Sequence, residues 1–217
     1  LSIITINYNN SEGLKKTLES IKRINFEYEL IIVDGKSIDD SIKIAKSFEN
    51  TTSKFKLITE KDNGIYDAMN KGVKSANGDW VIFMNSGDCF NFTKNIYQIL
   101  KKHSNYALIY GNNLMYGKID CPLSIKALER GIIHACHQSM FFNYKLLSEE
   151  LRYKILYKIY ADYELVNRLY LKKYKFIYIN ECFSESEPGG ISQKRTIRKR
   201  VDKFLIILRS YGILGIV

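Results

Sequence analysis

Proline is almost absent, with two residues in a chain of 217. No low-complexity tract accompanies that scarcity, so long linkers and a disordered chain are excluded. Cysteine is sparse and scattered. Cys89, Cys121, Cys136 and Cys182 make no Cys-x-x-Cys pair and no Cys/His cluster at zinc spacing, which excludes a zinc module. They are expected to be reduced thiols in a cytosolic protein, with at least two of them filling core. The longest uncharged stretch falls far short of the ~20 apolar residues that cross a bilayer. No repeat, signal-type stretch or charged leader is visible. The first residue is not Met, and a few native residues are expected ahead of Leu1.

What is present is ordinary for a globular protein: 46% apolar residues over a length that makes one large domain, or one domain with an appendage. The net charge of +10 suits an anionic partner such as nucleotide phosphate, an acidic membrane surface or nucleic acid. A drift in composition toward Lys, Ile, Asn and Tyr would give the same total. No recognised nucleic-acid motif appears, and no nucleic-acid partner is expected.

The pattern of elements is more specific. Ser2–Asn7 reads as a strand, and Ser11 opens a helix to about Arg23 with Leu14, Leu18 and Ile21 on one stripe. Leu30–Val33 is a second buried strand, ending at Asp34-Gly35. Ser37 and Asp40 have capping-box spacing before a helix that runs to about Phe48. Phe55–Thr59 is a third strand, Ile65–Ala76 a third helix and Trp80–Met84 a fourth strand. Strands and helices alternating through short loops predict a parallel, doubly wound sheet. After Asp88 the rhythm breaks. Helices are expected at Ile96–Lys102 and Ala161–Lys172. Short strands are expected at Ala107–Tyr110 and Asn113–Tyr116, around a turn at Gly111, and at Gln138–Phe142 and Phe176–Ile179.

The unbroken apolar run Trp80–Met84 suits a strand covered on both faces, and it stops at Asn85-Ser86-Gly87-Asp88. In open α/β sheets ligands sit just past the carboxyl ends of the strands. Glycine there lets backbone approach a ligand, and aspartate adds a hard oxygen ligand suited to Mg²⁺ or Mn²⁺. The same four residues could simply cap a helix.

Taken together, several segments resemble the family 2 glycosyltransferases of the GT-A fold. The likeness is narrower still to the bacterial enzymes that build exopolysaccharide and O-antigen repeat units. The matching pieces are SIITINYNNSEGLKKTLESI at Ser2–Ile21, ELIIVDGKSIDDS at Glu29–Ser41, EKDNGIYDAMNKGVKSANGDWVIFMNSGD at Glu60–Asp88, HQSMFF at His137–Phe142, ADYEL at Ala161–Leu165 and GGIS at Gly189–Ser192. Each is weak alone; their order and spacing make the signal. The resemblance covers roughly Leu1–Ser192. It implies an α/β, Rossmann-like GT-A fold with a mixed, mostly parallel sheet and helices on both faces. Residues 1–90 would form a nucleotide-sugar donor half and residues 91–192 an acceptor half.

The resemblance also implies roles for single residues. It places the Asp34 carboxylate on a uracil ring, accepting N3–H; the alternative is a carboxylate that caps the following turn. Thr5, Asn7 and Tyr8, at the end of the first strand, would line the same nucleotide pocket, although Asn7 also suits a turn. Lys61 would offer its ammonium to the diphosphate. Asp62, Gly64 and Asn70 resemble positions around nucleotide and ribose. Tyr66 and Asp67 fit the narrower group, or simply start a helix. Where most of the family carries an acidic motif, this chain has Asn85 and Gly87 and keeps only Asp88. Asp88 would then be the one protein carboxylate on a divalent cation, Mn²⁺ or Mg²⁺, with Asn85 on the ribose or sugar. Asp162 matches the general base of an inverting transfer, against the alternative of a helix N-cap or surface acid; Glu164 is its nearest competitor. His137 and Gln138 would lie near the acceptor or diphosphate. His134 with His137 also has the look of a metal pair, or of ordinary buried histidine.

From residue 193 the chain becomes basic. Lys194, Arg195, Arg198, Lys199, Arg200, Lys203 and Arg209 stand against one acid, Asp202. Ile197, Val201, Phe204 and Leu208 fall on one helical stripe. Residues 193–217 therefore predict an amphipathic helix. It either lies on an anionic inner membrane or packs that stripe on the domain.

The function expected is inverting transfer of a sugar from a nucleoside-diphosphate donor, UDP-linked, to a glycan or polyprenyl-diphosphate-linked acceptor in surface polysaccharide synthesis. The enzyme would be cytoplasmic, either free there or peripheral on the cytoplasmic face of the inner membrane. The competing classes are a non-catalytic nucleotide-sugar or lipid-binding module and a sugar-phosphate nucleotidyltransferase. The latter is disfavoured because Tyr8–Leu14 carries no basic residue.

Overall fold

The computed structural model describes residues 1–52, 54–91, 95–186 and 196–212. Gly189–Ser192, Lys194, Arg195 and the apolar run 213–217 lie outside the described residues. The elements, in chain order, are β1 (Ser2–Asn7), α1 (Ser11–Ile21), β2 (Glu29–Asp34), α2 (Ser41–Ser47), β3 (Phe55–Thr59), α3 (Ile65–Ser75), β4 (Trp80–Phe83) and β5 (Cys89–Phe90), followed by α4 (Ile96–Lys102), β6 (Leu108–Met115), β7 (Lys118–Asp120), β8 (Met140–Asn143), α5 (Tyr144–Leu147), α6 (Ala161–Leu171), β9 (Phe176–Glu185) and α7 (Ile197–Tyr211).

These strands form one sheet in the order β3-β2-β1-β4-β8-β6-β9-β5, with β7 paired to β6. Strands β3, β2, β1, β4, β6 and β9 run one way and β8, β5 and β7 the other, as the pairings require. Successive residues of the central strands feed opposite layers because side chains alternate across a strand. Ile4, Ile31, Val81 and Phe83 pack with Met69, Val73, Phe142 and Leu165 on one face. Ile3, Leu30, Ile32 and Ile82 pack with Leu14, Leu18, Phe141 and Phe183 on the other. Burial on both faces explains why these strands read as continuous apolar runs.

Four sequence expectations are corrected. Gly111 is not a turn: β6 runs straight through it, with register shifts against β9 on either side of Asn112. A Cβ at Gly111 would meet Glu181 O and the Phe183 ring at 2.6 Å, so the glycine permits close strand approach. Ser37 and Asp40 make no capping box, since Asp40 gives α2 no side-chain cap bond. The Ser37 hydroxyl turns back to Asp34 instead. The cysteines do not fill core; Cys89, Cys136 and Cys182 are half-buried and Cys121 is exposed, and none of the four is in a disulfide. The C-terminal helix packs on the domain, but not by the expected stripe. Asp202 and Ile206 face inward, whereas Ile197, Val201 and Phe204 point outward.

Candidate active site

The carboxyl ends of β1, β2 and β4 open into one cleft of about 990 Å³. Its walls come from Asn7 and Tyr8 after β1, Gly35 after β2, Lys61–Tyr66 before and within α3, Asn85–Asp88 after β4, Cys136–Gln138, and Asp162 at the start of α6. Thus the two halves of the chain, whose motifs are 50 or more residues apart, meet in one place.

The end near β1 is a narrow slot. Asn7 Nδ2 donates to Asp34 Oδ2 at 2.9 Å and to Ser37 Oγ at 3.2 Å, while Asn7 Oδ1 is buried without a partner. A Cβ on Gly35 would lie 3.0 Å from both Asp62 Oδ2 and the Tyr8 ring, so glycine keeps the space between those two side chains. Asp62 is held by Lys71, whose Nζ reaches Asp62 Oδ1 at 2.6 Å and Lys61 O at 2.8 Å. Burial pulls the Lys71 ammonium down, but Asp62 and Glu60 outweigh it and hold it above the usual lysine range. Lys71 escapes the motif reading. The signal for it was its position four residues after Asp67, a spacing that puts opposite charges on one helix face; the two lie 3.7 Å apart.

Three expected nucleotide contacts do not line this slot. Asp34 is 1% exposed, and its oxygens accept from Asn7 Nδ2, the Ser37 amide at 2.8 Å and the Ser37 hydroxyl at 2.7 Å. It braces the turn and fixes the Asn7 amide from behind the wall. Thr5 is fully buried in β1, two residues before the strand end. Asn70 clamps the Tyr153 backbone on both sides, donating to its carbonyl and accepting from its amide at 2.8 Å each. Both ends of that amide are spent on the Tyr153 backbone. Tyr8, Lys61, Asp62, Gly64, Asn85, Asp88, His137, Gln138 and Asp162 do line the cleft.

At the centre, the loop after β4 is shaped by Gly87 at φ +108, a backbone region that favours glycine. Thr17 of α1 holds it: its hydroxyl donates to Asp88 O at 2.7 Å and accepts from the Gly87 amide at 3.0 Å. The segment His137–Gln138 backs the same loop. Gln138 Nε2 donates to Asp88 Oδ2 at 2.6 Å, and Asn85 Nδ2 lies 3.1 Å from His137 Nε2. Asn85 Oδ1 and Ser86 Oγ are buried with no hydrogen-bond partner. Such orphaned acceptors and hydroxyls cost free energy unless something else meets them, and a cleft-bound ligand would. Cys136 donates its thiol proton to Gln138 Oε1 at 2.8 Å. Burial pushes that thiol up to about 11, so it stays protonated near neutral pH.

Asp162 sits in the first turn of α6. Its Oδ1 accepts from the Tyr163 amide at 2.7 Å and lies 3.3 Å from the Tyr66 hydroxyl. Tyr66 is pinned in turn by donating to Ile159 O at 2.6 Å and by stacking on Tyr153 at 5.3 Å. Burial raises the Asp162 pKa, opposed by the nearby His137 charge and the Tyr163 amide. A carboxylate made more basic within reach of a cleft is suited to taking a proton. Glu164 is not a rival: it is buried away from the cleft, on Lys154 at 2.7 Å and Arg168 at 3.1 Å. His134 is no metal partner for His137. It lies buried between Tyr110 and Phe176, with both ring nitrogens unpartnered.

In the Asn85–Asp88 loop a divalent cation finds one protein carboxylate, Asp88, with one of its oxygens already taken by Gln138. Among the described residues no group of three or more His, Cys, Asp or Glu could hold a metal. The donor set fits a cation shared with a bound diphosphate, in which phosphate and water supply the remaining oxygens.

Comparison with known proteins bears on this geometry. The model for "Glycosyl transferase family 2" matches residues 2–173. A PGL/p-HBAD biosynthesis glycosyltransferase of Mycobacterium bovis is 29% identical over 208 residues, covering 88% of this chain and 78% of its own. Among solved structures, S. aureus TarS 1-349 in complex with UDP-GlcNAc superposes with a TM-score of 0.75 at 15% identity, covering 99% of this chain and 68% of that one. A mannosyltransferase from Pyrobaculum calidifontis in complex with GDP-Man and Mn²⁺ gives a TM-score of 0.70 at 16% identity, over 96% and 64% of the two chains.

Proposed function

The chain belongs to glycosyl transferase family 2, and from that membership we propose that it transfers one sugar, with inversion, from a UDP-linked donor to a glycan or lipid-linked glycan acceptor during surface polysaccharide synthesis. It is a glycosyltransferase. The observation that carries the finer reading is the convergence of Asp162, with its raised proton affinity, and the Asn85–Asp88 loop on one cleft.

In this reading residues 1–90 hold the donor and residues 91–192 the acceptor. Tyr8, Asn7 and Asp62 receive the base and ribose, with Asp34 keeping the Asn7 amide oriented so that Oδ1 remains an acceptor. Lys61 meets the diphosphate. Asp88 is the residue that would hold Mn²⁺ or Mg²⁺, and such a cation would supply positive charge against the leaving diphosphate. Asn85 and His137 orient the sugar. The acceptor hydroxyl oxygen attacks the anomeric carbon from the Asp162 side while the bond from that carbon to the diphosphate oxygen breaks. The hydroxyl proton passes to the Asp162 carboxylate, and the transition state has oxocarbenium character. Contact with the cytoplasmic face of an anionic inner membrane would bring a polyprenyl-linked acceptor to the cleft.

A thermal-shift panel tests this. Ligand bound only by the folded chain raises its apparent stability by mass action. UDP and UDP-sugars are expected to raise Tm, more so with Mn²⁺, and Asp88→Asn is expected to remove the Mn²⁺ increment. No shift with any nucleoside diphosphate would refute the donor assignment. Turnover unchanged in EDTA would refute the metal role.

A further inference from the structure

Helix α7 is fastened to the domain by a polar and a small apolar contact set. Ile206 is 1% exposed, Asp202 accepts from the Ile159 amide at 2.9 Å and faces Arg198 at 3.0 Å, and Tyr211 Oη donates to Asn167 Oδ1 at 2.6 Å. That attachment leaves the other side of the helix outside. Ile197 is 81% exposed, Val201 40% and Phe204 49%, at spacings that align them along one flank. Leu156, 51% exposed, lies beside them, because its carbonyl accepts from Arg198 Nη2 at 2.8 Å. A helix that only closed a core would turn polar residues outward here. Singly exposed apolar residues need no explanation, but an aligned set interleaved with cations does.

Charge identifies what the set meets. The helix carries Arg198, Lys199, Arg200, Lys203 and Arg209, and its one acid, Asp202, is fully buried and engaged. No described helix is long and apolar enough to cross a membrane, so the helix would lie along an interface rather than span it. The neighbouring segment leads straight to the cleft, since Lys158 and Ile159 line it.

We propose that the outward flank of α7, Ile197, Val201 and Phe204 with Leu156, is a docking face for an anionic bilayer, holding the cleft beside the membrane surface. This rests on the reading of a lipid-linked acceptor and specifies where the bilayer sits. Apolar side chains enter the headgroup boundary, and the exposed Arg200 meets a lipid phosphate, contributing about fivefold in partitioning at the surface.

Flotation of the full chain with vesicles containing phosphatidylglycerol, and with vesicles of phosphatidylcholine alone, tests the assignment. The wild type is expected to float with the anionic vesicles only, less so as salt rises. Val201→Glu/Phe204→Glu, which replaces two exposed residues, is expected to lower association more than about tenfold. Arg200→Ala should lower it about fivefold. Absence of flotation, equal flotation with neutral vesicles, or no effect of the double variant would overturn the proposal. So would concentration-dependent dimerisation abolished by that variant, which would assign the face to a second copy. Thermal response to UDP is read in parallel on the same proteins. Loss of vesicle binding with an intact UDP response removes the docking face alone, whereas vesicle binding without a UDP response removes the donor reading and leaves the face standing.

Discussion

His134 gives the most exacting test of the structure. It is 1% exposed, wedged edge-on to Tyr110 at 4.5 Å and parallel to Phe176 at 6.3 Å, and neither ring nitrogen has a hydrogen-bond partner. Burial pulls its pKa down to about 4 from an ordinary 6.5. The sign follows from proton counts. Between those two values the unfolded chain holds a proton that the folded chain refuses, so stability rises with pH across the window and is lost as pH falls through it. At about 1.4 kcal/mol per tenfold change, the full separation is worth about 3 kcal/mol, of which about 2 kcal/mol or more disappears between about pH 7 and pH 4.5. His134→Phe keeps a ring in the slot and removes the titration. Urea unfolding of both proteins across this range isolates the effect, because carboxylate contributions are common to both and cancel in the difference. The stability of the wild type relative to the variant should fall by about 2 kcal/mol or more over the window. A difference independent of pH would mean that this imidazole reaches water or a partner, and would refute the packing described here. The loop matters beyond stability, since His137 and Gln138 follow three and four residues on and contact Asn85 and Asp88.

Further outcomes follow from the same geometry. Asp162→Asn should lower kcat by about 10²–10⁴ with UDP affinity unchanged, and the acid limb of the wild-type kcat profile should lie above the ordinary carboxylate range because burial raises this group; an active variant would remove the assignment. Asn70→Ala should cost about 1–3 kcal/mol in urea unfolding, because both bonds to the Tyr153 backbone are lost, yet leave UDP affinity alone; the opposite split would restore Asn70 to the nucleotide site. Asp202→Ala should also cost about 1–3 kcal/mol by stranding the Ile159 amide. Because Ile159 O receives the Tyr66 hydroxyl beside Asp162, it should depress turnover more than Ile206→Ala of equal stability loss.

Much of the first half of the chain was legible because its signals are local. Strand runs such as Leu30–Val33 and Trp80–Met84 carry their burial in their composition, and their abrupt polar ends mark the cleft without any long-range information. The second half was harder to read. Whether Gly111 turns or continues depends on how closely β9 approaches, which no window around residue 111 contains. Likewise the stripe on α7 is amphipathic in sequence, but the side that packs was chosen by Asp202 finding the Ile159 amide and Ile206 finding the core.

By itself, then, the order of residues determined the strand–helix alternation, the ends of β1, β2 and β4, and the types of group available there, because each follows from short-range periodicity and from which side chains carry charge. Only folding decided which of those groups face the cleft. Asp34 and Asn70 were drawn into the protein's own hydrogen bonds, whereas Asp162 was carried to the Asn85–Asp88 loop from the far half of the chain. The physical reason is that a polar side chain serves either the backbone beside it or a ligand, and the choice depends on distances between segments far apart in sequence.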